Sequence, residues 1–232
     1  MNKRFLIVDL DDTVLDFKGG EIADVKAVFK KHCGLDQAQV EEALKAYQKI
    51  NKALWKQYEL EEIERDVIFK TRYPKTLAAL GLKADAEAME NDYATLRDQN
   101  YRTLDGAEEV LKTAAEHYTV LVGTNGQDET QRRRLKETGF DQYFDKIYTS
   151  EQIGHAKPDT DFYEAIFEDN PDMTKENTVM IGDGIFSDML GGQRYGIDRI
   201  WVNLDGKQLP ENITVSQTVT ALSELQTLLA EA

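Results

Sequence analysis

The fold of this chain is decided by the stretch Phe5-Leu6-Ile7-Val8-Asp9-Leu10-Asp11-Asp12-Thr13. Four consecutive apolar residues predict a strand that is buried on both faces, and carboxylates follow at its carboxyl end. Ligands of open α/β sheets bind at that end of the strands. Because neighbouring carboxylates repel one another unless a cation neutralises them, the stretch predicts a cation-dependent site. By itself it also leaves open a simple acidic turn.

Further apolar runs along the chain have the character of strands. They occupy residues 118–123, 146–149, 178–181 and 199–203, with a weaker run at 213–215. Helical segments are predicted at residues 130–138, 159–168 and 188–195 and from about residue 220. This alternation predicts an α/β core with a doubly wound, Rossmann-like parallel sheet and helices on both faces.

The rhythm breaks between the first and second strands, where residues 17–102 show only helical periodicity. The predicted helices are 21–32, 37–56, 61–80 and 84–101, with turns or joints at Gly19-Gly20, Gly34, Pro74 and Gly81. We therefore predict an inserted helical-bundle cap at 17–102 and a core domain formed by 1–16 and 103–232. Both tethers leave the polar end of the first strand, so the cap is expected to cover the acidic cluster as a lid.

The composition restricts the partners of the protein. With 28 basic and 43 acidic residues, the formal charge is −15, which disfavours nucleic acid polymers and anionic membranes. The single cysteine, Cys33, excludes a disulfide within the chain and fits a reducing compartment. The first apolar run is too short for a secretory signal, and no stretch is long enough to span a membrane. We predict a cytoplasmic monomer or weak homodimer that acts on a small metabolite.

Polar residues follow three later predicted elements as well. The segment Val122-Gly123-Thr124-Asn125-Gly126 is a strand end with a hydroxyl and an amide. Lys157-Pro158-Asp159 places a cation before a proline suited to a first helical turn. Gly182-Asp183-Gly184-Ile185-Phe186-Ser187-Asp188 follows another buried strand and carries spaced carboxylates.

In this order, DLDDT, TN, KP and GDGIFSD resemble the four signatures of the haloacid dehalogenase-like hydrolase superfamily. Each motif is weak alone, but their combination is specific, and the lengths between them fit over the whole chain. The helical insertion is similar to that superfamily's helical type of cap. The dehalogenases of the superfamily lack an acid at the position of Asp11, so the resemblance implies phosphoryl transfer.

The resemblance also implies roles for individual residues. Asp9 would be the nucleophile that forms an aspartyl-phosphate. Asp11 would protonate the leaving alkoxide and then activate water. Lys157 and Thr124, with Asn125 of the same signature, would bind the transferring phosphoryl group.

A magnesium ion belongs to the same pattern. The resemblance implies that Asp9, the backbone carbonyl of Asp11, and Asp183 hold Mg²⁺, with waters completing an octahedral shell. Asp188 would support this shell from behind, orienting a water or the lysine.

The cap is expected to select the substrate. Residues 54–59, Leu-Trp-Lys-Gln-Tyr-Glu, with Arg72-Tyr73 resemble the caps of pyrimidine and non-canonical 5′-nucleotidases. N-acylneuraminate phosphate phosphatases share parts of these patterns. Trp55 or Tyr58 would stack on a base or else belong to the helical core of the cap. Arg72 would contact a phosphate or sugar or else form a salt bridge on the helix surface.

The run Arg132-Arg133-Arg134 suggests a phosphate clamp at first sight. Because three consecutive helical positions point in different directions, we expect solvated charges instead.

These observations predict an Mg²⁺-dependent phosphomonoesterase, in particular a nucleoside 5′-monophosphate phosphatase. A sugar-phosphate phosphatase or phosphomutase on the same scaffold is the closest alternative. A phosphonatase would need an imine-forming lysine in the cap, for which Lys52 and Lys56 are the available residues. A non-catalytic sensor of phosphorylated ligands would be expected to lack Asp9, Asp11 or a metal ligand, and all of these are present.

Overall fold

The computed structural model describes residues 4–60 and 62–231. It contains a six-stranded sheet in which every pair of neighbouring strands is parallel. The strands are β1 Phe5–Val8, β2 Thr119–Thr124, β3 Lys146–Thr149, β4 Thr178–Gly182, β5 Asp198–Val202 and β6 Gln217–Val219. They are arranged in the order β3-β2-β1-β4-β5-β6. The predicted α/β fold class is confirmed.

The central strand β1 is buried on both faces. Leu6 and Val8 belong to one hydrophobic cluster, whereas Phe5 and Ile7 belong to a second cluster. This alternation follows from the period of two in a strand, and it explains why an unbroken apolar run was needed.

The register aligns the carboxyl ends of three strands. Val8 of β1 pairs with Val122 of β2 on one side and with Ile181 of β4 on the other. The backbone N–H of Asp9 continues the ladder by donating to the carbonyl of Ile181 at 2.8 Å. The strand order reverses at β1, because β2 and β3 lie on one side of it and β4, β5 and β6 lie on the other. The carboxyl end of β1 is therefore a topological switch point.

The chain forms two compact units, Phe17–Asn100 and the combination of Met1–Asp16 with Tyr101–Ala232. The first unit contains four helices: α1 Phe17–Cys33, α2 Gln37–Glu59, α3 Arg65–Leu80 and α4 Ala86–Asp98. An Asp36–Gln39 capping box begins α2, and a left-handed Gly81 ends α3.

Two of the predicted joints in this unit are wrong. Gly19 and Gly20 lie inside α1, where Gly20 allows a close approach, because a Cβ atom there would lie 1.8 Å from Nδ2 of Asn100. Pro74 lies inside α3 at an exposed position. Water can hydrogen-bond there to the carbonyl group that the proline leaves without a donor.

The second unit carries the remaining helices around the sheet. They are α5 Ala107–His117, α6 Asp128–Thr138, α7 Ser150–Ile153, α8 Thr160–Glu168, α9 Leu190–Tyr195 and α10 Leu222–Ala230. A 3₁₀ turn covers Phe140–Tyr143, and a π-helical turn at Ile185–Met189 leads directly into α9.

The weak strand predicted at 213–215 is also wrong, because the last strand is β6 at Gln217–Val219. Ile213 is apolar for a different reason, since it packs with Met189 and Trp201 in a small cluster. Within residues 4–60 and 62–231, no helix is both long and apolar enough to cross a membrane.

Candidate active site

The ends of β1 and β4 bring three carboxylates together. Asp9 follows β1, Asp183 follows β4, and Asp188 lies in the π-helical turn after them. One oxygen from each carboxylate lies within 4.8 Å of an oxygen of the other two. These residues are far apart in sequence, and the parallel register joins them at the switch point.

Lys157 supplies a positive charge at the centre of this group. Its ammonium group donates to Asp9 Oδ1 at 2.8 Å, to Asp188 Oδ1 at 2.6 Å and to the carbonyl of Gly123 at 2.5 Å. The residue is only 1% exposed. Burial alone lowers the pKa of Lys157, but Asp188 and Asp9 outweigh this effect and hold the pKa above its usual value. The lysine is therefore a fixed cation.

Two residues hold Lys157 in place from different directions. Asp188 binds its ammonium group and also accepts from the backbone N–H of Gly184 at 2.8 Å. Asn125 accepts from the backbone N–H of Lys157 at 2.9 Å and donates to its carbonyl at 2.8 Å. The amide of Asn125 is thus directed to the backbone of the lysine, and this places Lys157 against the end of β2.

Two buried threonine hydroxyls connect the loops at this edge. Thr124 Oγ1 accepts from the backbone N–H of Gly126 at 3.0 Å. Thr13 Oγ1 accepts from the backbone N–H of Asp183 at 3.0 Å, which joins the loop after β1 to the loop after β4.

The chain turns sharply after Asp11. Asp12 adopts a left-handed conformation with φ of 58°, which aspartate tolerates better than most residues. Its N–H donates to the carbonyl of Leu15 at 2.7 Å. The Asp11 carboxylate pairs with the guanidinium of Arg134, and it accepts from Gln131 Nε2 at 2.7 Å.

The prediction of three solvated arginines is wrong for Arg134, which is buried in the described structure. Arg132 and Arg133 do lie at the surface, where they pair with Asp128 and Glu129 one helical turn earlier. Consecutive helical positions point in different directions, as the prediction assumed, but one of these directions is inward. Arg134 occupies that position. The signal that sequence reasoning missed is the i, i+3, i+4 spacing of buried Gln131, Arg134 and Leu135.

The electrostatics of the carboxylate group fit a bound divalent cation. Burial raises the pKa of Asp9, and the charges of Asp188 and Asp11 raise it further against the opposing effect of Lys157. Burial likewise raises the pKa of Asp183 to about 6, although Lys207 pairs with it at 3.0 Å. Negative charge is in excess here, and Mg²⁺ prefers oxygen ligands. The residues present therefore fit the predicted ion.

The structure does not support Arg72 as a substrate contact or as a surface salt bridge. Arg72 is 2% exposed inside the helical unit, and it binds both carboxylate oxygens of Glu90, with a distance of 2.7 Å from Nε. Its guanidinium also lies 4.6 Å from the ring centre of Tyr93 and 5.0 Å from that of Phe69. Aromatic faces and a carboxylate thus satisfy the cation within the helix bundle.

Trp55 and Tyr58 are half-buried and lie outside the main hydrophobic cluster of the helical unit. Their rings meet edge to face, with centroids 5.8 Å apart, and Trp55 meets Phe69 in the same way at 6.4 Å. The two residues form a small aromatic group with partly accessible faces.

Comparison with known proteins agrees with this geometry. Residues 6–202 match the family model of the haloacid dehalogenase-like hydrolases. The chain is 31% identical to the HAD-hydrolase YfnB of Bacillus subtilis, over 97% of this chain and 95% of that protein. A crystal structure of YfnB described as bound to magnesium superposes with a TM-score of 0.89 at 30% identity and covers 98% of both chains.

Two similar proteins are named for an activity. The pyrimidine 5′-nucleotidase PynA of Streptococcus pneumoniae is 35% identical, over 86% of this chain and 84% of that protein. The pyrimidine 5′-nucleotidase YjjG of Escherichia coli is 30% identical, over 80% and 81% respectively. The family model covers most of the chain, and the motifs that suggested the resemblance converge in space, so the chain belongs to the haloacid dehalogenase-like hydrolases.

Proposed function

We propose that this protein is an Mg²⁺-dependent phosphomonoesterase that hydrolyses nucleoside 5′-monophosphates through an aspartyl-phosphate. One observation carries the proposal: the buried Asp9 carboxylate lies at the switch point of the sheet, bound by the fixed cation Lys157 at 2.8 Å and surrounded by further carboxylates. This arrangement combines a nucleophile with charge that can offset the negative charge of a phosphoryl group.

In the first step, an oxygen of Asp9 attacks phosphorus, and the bond between phosphorus and the ester oxygen breaks. Asp11 gives its proton to the departing alkoxide of the nucleoside. Lys157 and the Thr124 hydroxyl offset charge on the phosphoryl oxygens, and Lys157 also favours the ionised form of Asp9 that attacks.

In the second step, Asp11 is a carboxylate and accepts a proton from the water that attacks the aspartyl-phosphate. Phosphate leaves, and the carboxylate of Asp9 is restored. Asp9, Asp183 and the backbone carbonyl of Asp11 would hold Mg²⁺, with Asp188 behind them. When bound, this ion neutralises the carboxylates and the phosphate oxygens.

The names of PynA and YjjG support a nucleotide as substrate, since both are called pyrimidine 5′-nucleotidases. Within the helical unit, Trp55 and Tyr58 offer partly accessible aromatic faces of the kind on which a base stacks. Stacking of a base on an aromatic side chain contributes about 1–3 kcal/mol. We therefore expect Trp55→Ala to raise KM for uridine 5′-monophosphate by about 10-fold or more with little change in kcat.

The direct test is phosphate release by the purified protein with Mg²⁺, using Asp9→Asn as the blank. The panel should contain pyrimidine and purine nucleoside monophosphates together with sugar phosphates. Preferential hydrolysis of pyrimidine nucleotides, abolished by Asp9→Asn and by removal of Mg²⁺, would support the proposal. Preference for sugar phosphates would contradict the nucleotide substrate and leave the chemistry of Asp9 intact. Equal hydrolysis by both proteins would contradict the role of Asp9.

A further inference from the structure

Three side chains form a closed hydrogen-bonded ring beside the end of β1. Arg134 donates through Nη1 both to Asp11 Oδ1 and to Gln131 Oε1, the latter at 3.0 Å. Gln131 in turn donates through Nε2 to Asp11 Oδ2 at 2.7 Å. Each oxygen of the Asp11 carboxylate is therefore bound by a different donor, and the two donors are bound to each other.

The ring also reaches the hydroxyl that we assign to the phosphoryl group. Gln131 Nε2 lies 3.1 Å from Thr124 Oγ1, so one amide group contacts both Asp11 and Thr124. A shift of the Gln131 side chain would move both contacts together. The ring thus connects Asp11, which we assign to protonation of the leaving group, with Thr124, which we assign to the phosphoryl oxygens.

Burial is unequal around the ring. Gln131 and Arg134 are each 1% exposed, whereas the side chain of Asp11 is 29% exposed. Burial of a guanidinium is costly unless hydrogen-bonding partners satisfy its charge. The two donors are therefore the buried members of the ring, and the carboxylate that they hold is the accessible member.

The backbone leaves room for this arrangement at one glycine. A Cβ atom at Gly126 would lie 2.2 Å from Gln131 Nε2, which is closer than nonbonded atoms approach. The loop between β2 and α6 thus needs a residue without a side chain, so that the amide of Gln131 can face Asp11 and Thr124.

We propose that Gln131 and Arg134 are positioning residues that hold both oxygens of Asp11 in a single orientation for proton transfer. The inference rests on the proposed role of Asp11 as acid and base. A side chain bound at both oxygens keeps one rotamer, and fixed orientation of a reacting group is a large part of catalysis.

The test uses two substrates that differ in their need for a proton. The alkoxide leaving group of uridine 5′-monophosphate needs a proton. The second substrate, 4-nitrophenyl phosphate, releases 4-nitrophenolate, which leaves without one. For Arg134→Met and Gln131→Met, kcat with the nucleotide should fall about 10- to 100-fold, while KM stays within about 2-fold. With enzyme in excess, the single-turnover release of 4-nitrophenolate should fall by less than about 3-fold.

Matched variants separate positioning from a general loss of structure. Arg133→Met removes a neighbouring surface charge on the same helix and should leave both rates unchanged. Arg134→Lys keeps a cation at the same place and should recover part of the lost kcat. The thermal unfolding midpoint of every variant should be measured in the same buffer, and Gln131→Met provides the test if Arg134→Met folds poorly.

Equal losses with the two substrates, or a loss confined to KM, would overturn the inference, because a merely structural role does not distinguish leaving groups. Wild-type rates in Arg134→Met would overturn it as well and leave the proposed function standing. If the unmodified chain released no product from either substrate, the proposed function would fail first, and this inference would fail with it.

Discussion

Each unit of this protein contains a buried arginine that is paired with an acid, and the two pairs differ in what surrounds the acid. In the helical unit, Arg72 binds Glu90, whose side chain is 17% exposed, and aromatic rings enclose the guanidinium. In the unit with the sheet, Arg134 binds Asp11, whose more accessible carboxylate acts electrostatically on Asp9, the residue that follows β1.

This difference shows that burial alone does not distinguish an arginine that stabilises the fold from one that positions a functional side chain. Both pairs satisfy a desolvated charge, as buried ions require. The Arg72–Glu90 pair lies among the rings of Tyr47, Tyr73 and Tyr93, whose centroids are 5.2–6.1 Å apart. The Arg134 pair holds a carboxylate that is 29% exposed and that we assign to proton transfer. We therefore expect damage to the first pair to affect stability and damage to the second to affect turnover.

The largest effect is expected from Arg72→Met. Loss of the guanidinium leaves Glu90 without its cation in the helix bundle, so the free energy of unfolding should fall by about 3–5 kcal/mol. Urea denaturation measures this change, and Lys70→Met, which breaks an exposed pair on the same helix, should alter stability by less than about 1 kcal/mol. A large rise in KM for Arg72→Met with unchanged stability would contradict this expectation and would support Arg72 as a substrate contact.

A third buried cation, Lys157, tests whether the sheet unit follows the rule for turnover. Lys157→Met should lower kcat by about 10²- to 10³-fold, because the phosphoryl oxygens lose a fixed positive charge. Asp9 and Asp188 lose the same cation, so Mg²⁺ should raise the melting temperature of this variant more than that of the wild type. Lys146→Met, at an exposed pair with Asp169, is the control, and a similar loss of kcat there would contradict the assignment.

Two glycines sharpen the comparison, because each faces a polar side chain where a Cβ atom would stand. Gly20→Ala in the helical unit would collide with Asn100, and the overpacking should lower the free energy of unfolding by about 1–3 kcal/mol. Adding Asn100→Ala should restore part of this loss in thermal unfolding. An unchanged melting temperature in Gly20→Ala would show that the Asn100 side chain can move away from this contact without cost.

The smallest effect is expected from the matching change in the sheet unit, Gly126→Ala. The new methyl group would displace Gln131, so kcat for nucleotides should fall about 10-fold while stability changes by less than about 1 kcal/mol. Steady-state kinetics and thermal unfolding of the same preparation give both values. If stability fell and kcat per folded molecule did not, the two units would not differ in the way proposed.

Local pattern was sufficient for much of this structure. The four apolar residues before Asp9 predicted a central strand, because a strand covered on both faces has no polar side to display. The alternation of strands and helices predicted a parallel sheet, and parallel strands place the residues that follow them at one edge. Asp9 and Asp183 could therefore be brought together from their positions after predicted strands, whereas Lys157 joined them only through the resemblance of its motif to the family.

Tertiary structure alone decided which polar side chains are buried and what they contact. Arg72 and Glu90 are 18 positions apart, and Arg134 and Asp11 are 123 positions apart. A run of three arginines has the same composition whether its third member faces water or the sheet. Likewise, Gly20 and Pro74 predicted breaks, but both lie inside helices. Local propensity cannot show that Asn100 fills the space beside Gly20, or that Pro74 lies at an exposed position. The energy that settles these positions comes from desolvation and from partners far along the chain.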